Sequence, residues 1–192
     1  MFFGTYNPIH VGHLIIANYM VDFTDLDRLW FVVSPHNPLK EKDELLDEHE
    51  RLELVKRATE HDHRFEVSDI EFNLPSPSYT INTLNKLKRD HPNQEFVIIM
   101  GSDNVENLEK WKDYESILEN FSIYVYPRVD SDKAKHFDHP SIQFFDTPLL
   151  YISSSHIREA LSGGHSIKYL VPDPVRDYIE THNLYQQPNL KE

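Results

Sequence analysis

Two histidines three residues apart, His10 and His13, stand in the stretch GTYNPIHVGH at 4–13, with glycines at 4 and 12 and a proline at 8. Gly4 and Gly12 let a backbone or an anion approach without a Cβ in the way, and Pro8 stiffens the turn. Placed after a strand and before a helix that begins near Val11, the imidazoles lie beside a helix N-terminus. There, free N–H groups and the helix dipole already favour negative charge. This arrangement suits a phosphate cradle. The residues alone also allow a partial metal site or two ordinary surface or capping histidines, and no third ligand lies nearby in the sequence.

Other residues carry chemistry by position. Asp103 follows the apolar run VIIMG, and a carboxylate at the carboxyl end of a strand can accept hydrogen bonds from ribose hydroxyls. Tyr79 and Trp111 read as aromatic residues at helix starts, serving either as packing or as ligand platforms. Thr80 is a plausible helix cap. Lys40, Lys42 and Arg128 are either solvated charges or phosphate contacts. The segment EKDELLDEHERLE at 41–53 reads as an acidic face with its own basic partners. His61, His63, His136, His139 and His182 have no metal spacing and are assigned no role.

The elements that must position these residues alternate along the chain. LWFVVS (29–34), FEVSDI (65–70), EFVIIMG (95–101), FSIYVY (121–126) and IQFF (142–145) read as strands. LIIANYMVDF (14–23), EHERLELVKRATEHD (48–62), YTINTLNKLKRDH (79–91) and WKDYESILEN (111–120) read as helices between them. Regular β–α alternation predicts an α/β fold with a doubly wound parallel sheet, in which ligands bind beyond the carboxyl ends of the strands. SSSHIREALSGG (153–164) and DPVRDYIETH (173–182) form a small helical portion at the C-terminal end, and residues 1–192 read as one domain. MFF is short for the strand that should precede Gly4. The expectation is that a few native residues precede Met1 or that the start is placed too late.

Composition narrows the function. A net charge of −13 and a pI near 5.3 oppose binding of a nucleic acid polymer, which needs clustered Lys and Arg. A small anion in a cleft with a few local cations remains compatible. With no cysteine there are neither disulfides nor thiolate metal sites. No apolar run approaches the ~20 residues that span a bilayer, and no secretory signal is visible, so a cytoplasmic protein without a membrane partner is expected.

GTYNPIHVGH resembles the Gly-[Thr/Ser]-[Phe/Tyr]-[Asp/Asn]-Pro-x-His-x-Gly-His signature of the nucleotidyltransferase superfamily. ISSSHIR at 152–158 resembles its second signature, Ile-Ser-Ser-Thr-x-Ile-Arg. Asn7 stands where Asp is common, and Ser155 where Thr is usual. SPHNPLK (34–40), PSPSYTINTL (75–84) and GSDNVENLEKW (101–111) are similar to the nicotinate-nucleotide adenylyltransferase family in particular, and the likeness covers nearly the whole chain.

The resemblance implies a Rossmann-like nucleotidyltransferase fold and adenylyl transfer from ATP to nicotinate mononucleotide, with Mg²⁺ held through the ATP phosphates. It implies that Gly4, Thr5, Tyr6, Asn7, His10 and His13 hold the triphosphate, joined by Ile152, Ser153, Ser154, Ser155 and Arg158. It implies that the Thr80 N–H meets the nicotinate carboxylate, with Tyr79 in the same turn, and that Trp111 stacks on the pyridine ring. Gly101 and Asp103 fall in the matching stretch after the fourth strand. On this reading His10, His13, Lys40 and Arg158 carry the catalysis, and Arg128 and the loop around Asn37 hold the mononucleotide phosphate. Pantetheine-phosphate adenylyltransferase shares both signatures. It is set against the Ser-Tyr-Thr turn, the Trp111 stretch and the length, and a non-catalytic nucleotide-binding domain is set against His10, His13 and Arg158 together.

Overall fold

The computed structural model describes residues 1–35, 45–75, 77–129 and 139–186. Six parallel strands form one sheet: β1 (Phe2–Gly4), β2 (Leu29–Val33), β3 (Phe65–Ser68), β4 (Val97–Gly101), β5 (Ser122–Tyr126) and β6 (Ile142–Phe144), in the order β3-β2-β1-β4-β5-β6. The helices are α1 (Val11–Phe23), α2 (Glu48–Thr59), α3 (Thr80–Asp90), α4 (Ser102–Val105), α5 (Tyr114–Asn120), α6 (Ser154–Ser162) and α7 (Asp173–Thr181). Side chains alternate across each strand, so the two faces of the sheet build separate cores. Ile99, Tyr124 and Tyr126 join Met20 of α1, Val55 of α2, Ile157 of α6 and Val175 of α7. Ile98, Met100, Ile123 and Val125 join Leu84 of α3 and Ile117 of α5. Covering on both faces explains why β2 reads as the unbroken apolar run LWFVV rather than an alternating one.

Three expectations need correction. Phe2–Gly4, judged short for a strand, does form one: β1 is central and pairs with β2 through all three residues and with β4 through Phe2 and Ile99. Residues 102–110, for which no element was expected, contain α4 and a 3-10 turn at Leu108–Lys110. The helix expected from 111 begins at Tyr114, after Asp113 in the left-handed region at φ 52°, so Trp111 follows a 3-10 turn instead of opening a helix. Similarly, β3 stops at Ser68 and Ile70–Asn73 winds into a 3-10 turn. Among the described residues no helix is long and apolar enough to cross a membrane.

The reversal of strand order lies between β1 and β4. Crossovers leave in opposite directions there, which opens a crevice at the carboxyl ends of those strands.

Candidate active site

The loop from Gly4 to His10 leaves β1 directly above that crevice. Tyr6 takes a left-handed backbone at φ 46°, and its ring turns inward, 2% exposed, with the hydroxyl donating to the Phe2 carbonyl at 2.6 Å. It therefore supports the loop from below through edge contacts with Phe2, Phe31 and His13, and does not face an open cavity. His10 precedes the first turn of α1 and is 5% exposed. Burial, then the charge of Arg128, lowers its pKa to about 4, so the ring is neutral at pH 7. Its buried Nδ1 has no hydrogen-bond partner among the described residues. The two imidazoles stack at 3.8 Å, and the His10 backbone N–H donates to His13 Nδ1 at 3.3 Å. A neutral His13 whose Nδ1 accepts carries its proton on Nε2.

The second signature docks onto the first. Ser153 caps α6, its hydroxyl accepting from the His156 N–H at 3.2 Å. Ser154 Oγ donates to the Pro8 carbonyl at 2.9 Å, and Arg158 Nη1 donates to the Asn7 carbonyl at 3.0 Å, across 146 and 151 residues of chain. Asn7 itself is buried, and its Oδ1 accepts from the Leu46 N–H at 3.3 Å. Gly12 makes this docking possible, since a Cβ there would lie 2.6 Å from Ile152 Cγ2. Two helix N-termini, of α1 and α6, thus face one space. Ser155 is exposed on the first turn of α6.

A cavity of about 330 Å³ opens from this pair, with His10, Gly12 and His13 on one wall, Ile152 and Ser153 on another, and Asp103 and Arg128 at the strand ends. Gly101 lets that last pair come close, because a Cβ would meet the Asp103 carboxylate and lie 2.8 Å from Arg128 Cγ. The Arg128 backbone N–H is anchored on Ser102 Oγ at 2.9 Å, and its Nε lies 3.8 Å from Asp103 Oδ1.

A second cavity, of about 250 Å³, lies on the other side of β1 and β4. Gly4, Thr5, Tyr79, Thr80 and Trp111 line it. Helix α3 starts at Thr80 with no side-chain cap; the Asn82 N–H donates to the Tyr79 carbonyl at 2.9 Å, and the Thr80 and Ile81 N–H groups are left without intrahelical partners at the cavity wall. Lys110 and Lys112 stand at the same wall, with Lys112 Nζ 4.8 Å from the centre of the Tyr79 ring. Tyr126, at the end of β5, borders both cavities.

Lys40 and Asn37 lie outside the described residues. Two residues that the sequence reading passed over hold the site together. Arg51, placed there on a solvated acidic face, is 1% exposed. Its guanidinium donates to the carbonyls of Thr5 at 2.6 Å, Ser34 at 2.7 Å, Pro35 at 2.8 Å and Leu46 at 2.9 Å. One signal was available: Leu54 and Val55, three and four residues on, put Arg51 on the apolar stripe of α2. Glu71, 3% exposed, lines the second cavity and accepts from Thr83 Oγ1 at 2.8 Å and Ser78 Oγ at 3.3 Å.

Residues 1–160 match the Cytidylyltransferase-like family. Over 190 residues the chain is 53% identical to the "Probable nicotinate-nucleotide adenylyltransferase" of Flavobacterium johnsoniae, covering 97% of this chain and 98% of that one. It is 50% identical over 189 residues to the protein of the same name from Flavobacterium psychrophilum, with 97% and 98% covered. Among solved structures, the Plasmodium falciparum nicotinic acid mononucleotide adenylyltransferase complexed with NaAD superposes with a TM-score of 0.81 at 22% identity, covering 96% of this chain and 95% of that one.

Proposed function

The chain belongs to the nicotinate-nucleotide adenylyltransferase family, and from that premise we infer how its two cavities divide the reaction. The protein transfers the adenylyl group of ATP to nicotinate mononucleotide, giving nicotinate adenine dinucleotide and pyrophosphate. The observation that carries the division of labour is the pair of cavities on either side of Tyr126, with the His10–His13 cradle in the wall of one of them. ATP occupies the space between α1 and α6, with Asp103 accepting from its ribose. The mononucleotide places its pyridine ring against Trp111 and its carboxylate at the start of α3. Arg128, Lys110 and Lys112 are the described cations near the mononucleotide's phosphate.

The nucleophile is the mononucleotide's phosphate oxygen, already an anion, so no side chain has to remove a proton. An O–Pα bond forms as the bond from Pα to the bridging oxygen of pyrophosphate breaks, and the electron pair leaves with pyrophosphate. Catalysis then consists of alignment and of neutralising the charge that builds on the α-phosphate and the leaving group. The Nε2–H of His13 and the guanidinium of Arg158 supply donors for that charge. These groups fit phosphate oxygens and not a metal, so Mg²⁺ enters as Mg–ATP, held by phosphates and water. We place this chemistry in the cytoplasm, as the acidic, cysteine-free composition suggests.

The direct test incubates the protein with Mg–ATP and, separately, nicotinate mononucleotide, its amide counterpart and phosphopantetheine, following pyrophosphate release. The acid should be turned over best. Backbone N–H groups at Thr80 pair with a carboxylate, whereas an amide turned with its NH₂ toward them leaves buried donors unsatisfied. At ~1–3 kcal/mol per unpaired donor, two contacts give about 10² in kcat/KM. Equal kcat/KM for acid and amide would remove Thr80 from carboxylate recognition. Preference for phosphopantetheine would overturn the substrate itself.

Arg158 gives a second test. Its Nη1 is held by the Asn7 carbonyl, and on this reading the rest of its planar fork serves the triphosphate, a division of donors that an ammonium does not reproduce. Arg158→Lys should keep measurable activity, and Arg158→Ala should lose on the order of 10–10² in kcat/KM for ATP, at ~1.5–3 kcal/mol for a charge-assisted contact. Melting temperatures should change little in either variant. Unchanged kinetics in Arg158→Ala would exclude the residue from the phosphate site.

A further inference from the structure

Glu71 is a buried carboxylate in the wall of a cavity assigned to an anionic ring, an arrangement that calls for a reason. Its partners supply one. Thr83 Oγ1 donates at 2.8 Å from the first turn of α3, Ser78 Oγ donates at 3.3 Å from the turn that precedes α3, and the Ser34 hydroxyl joins them from the end of β2. These groups come from three segments that surround the cavity, while Glu71 itself sits on the 3-10 turn after β3. Ser34 is in turn fixed to β1 by its N–H, which donates to the Gly4 carbonyl at 2.9 Å.

A serine or threonine hydroxyl has one proton to donate. Once that proton is given to Glu71, the oxygen can present only lone pairs to the cavity. The ionised carboxylate therefore does two things. It ties the turn at 78–80 to β2, and it turns the hydroxyl protons of the wall away from a ligand, leaving the backbone N–H groups at the start of α3 as the donors there. Burial raises the carboxyl pKa, and the three hydroxyl hydrogen bonds oppose that rise by stabilising the charged form.

Resting on the function proposed above, we propose that Glu71 is a positioning residue for the mononucleotide subsite. It holds the Ser78–Thr80 turn and orders the hydroxyls of Ser34, Ser78 and Thr83, so that carboxylate recognition falls to the first-turn N–H groups of α3. It contacts none of the residues of the His10–His13 cradle in the hydrogen bonds of its carboxylate, so its influence should reach one substrate and not the other.

The test is a split between the two Michaelis constants. Glu71→Gln keeps the shape, but its NH₂ meets hydroxyl protons on one side. This variant should raise KM for nicotinate mononucleotide about tenfold while KM for ATP stays within about twofold. Thr83→Val removes one donor at a site that is fully buried and lies outside the cavity wall, and should shift the same constant about threefold. It decides the matter if Glu71→Gln does not fold. A KM for ATP that rises in parallel, or a KM for the mononucleotide unchanged in folded variants, would overturn the proposal, because a merely structural carboxylate does not select between substrates. Turnover of nicotinate mononucleotide by the parent protein is measured in the same assay. Its absence would remove the functional reading before any variant is compared.

Discussion

Replacing His13 with alanine should lower kcat by ~10²–10³ with a much smaller change in KM for nicotinate mononucleotide. The direction follows from how the ring is held. Its Nδ1 is occupied by the His10 N–H, it makes edge contacts with Phe2 and Tyr6, and its ring stacks on that of His10, so Nε2–H has a fixed tautomer and a fixed aim. A donor arranged before the reaction costs no reorganisation when charge develops on the phosphates, and that differential stabilisation appears in kcat. His13→Gln, which keeps an N–H donor of similar reach, should recover part of the loss. Steady-state kinetics with both substrates decide the point: turnover of His13→Ala within threefold of the parent would remove the imidazole from transition-state stabilisation.

Arg51→Met should destabilise the fold by about 3–5 kcal/mol, because a single buried guanidinium is the donor to four backbone carbonyls from separate segments. For a chain of this size each kcal/mol is worth ~2–4 °C, so the melting temperature should fall by about 6–20 °C. Activity should fall as well, even at a temperature where the variant is folded. Thr5 belongs to the loop leading into the phosphate cradle and Ser34 touches the Glu71 cluster, so Arg51 sets both substrate loops from one position. Arg51→Lys keeps the charge but not the fork, and should rescue only a minor part of either loss. Thermal denaturation with kinetics at a permissive temperature measures both effects. A loss of stability below 1 kcal/mol in Arg51→Met would show that the four carbonyls find other partners.

What the residues settled by themselves was local. Strand and helix identity followed from residue pattern over spans of four to fifteen residues, and the order of those elements was enough for a parallel α/β sheet. The first loop could be read as an anion site because its glycines, its proline and two histidines fall in one strand–loop–helix connection from Gly4 to His13. The two signatures together gave the family, since their residue types are constrained at each position. Where periodicity was too short to register, the reading lost detail: α4 spans four residues and the 3-10 turn after it three, each less than the window in which a helical period can be counted.

The tertiary structure decided how groups distant in the chain are paired, and for that no local pattern exists. Arg158 reaches Asn7 across 151 residues, so the cradle becomes a closed site only when α6 docks on the loop after β1. Tyr6 stands inside the first signature and looks, by sequence, like its neighbours in contact with phosphate. The left-handed backbone turns its ring into the core, where burial of the aromatic face outweighs exposure at the site. Arg51 and Glu71 were legible only as charges on helical or turn segments, which are ordinarily solvated. Each is buried here because the folded chain surrounds it with several backbone carbonyls or hydroxyls at once, and only that convergence offsets the cost of removing a charge from water.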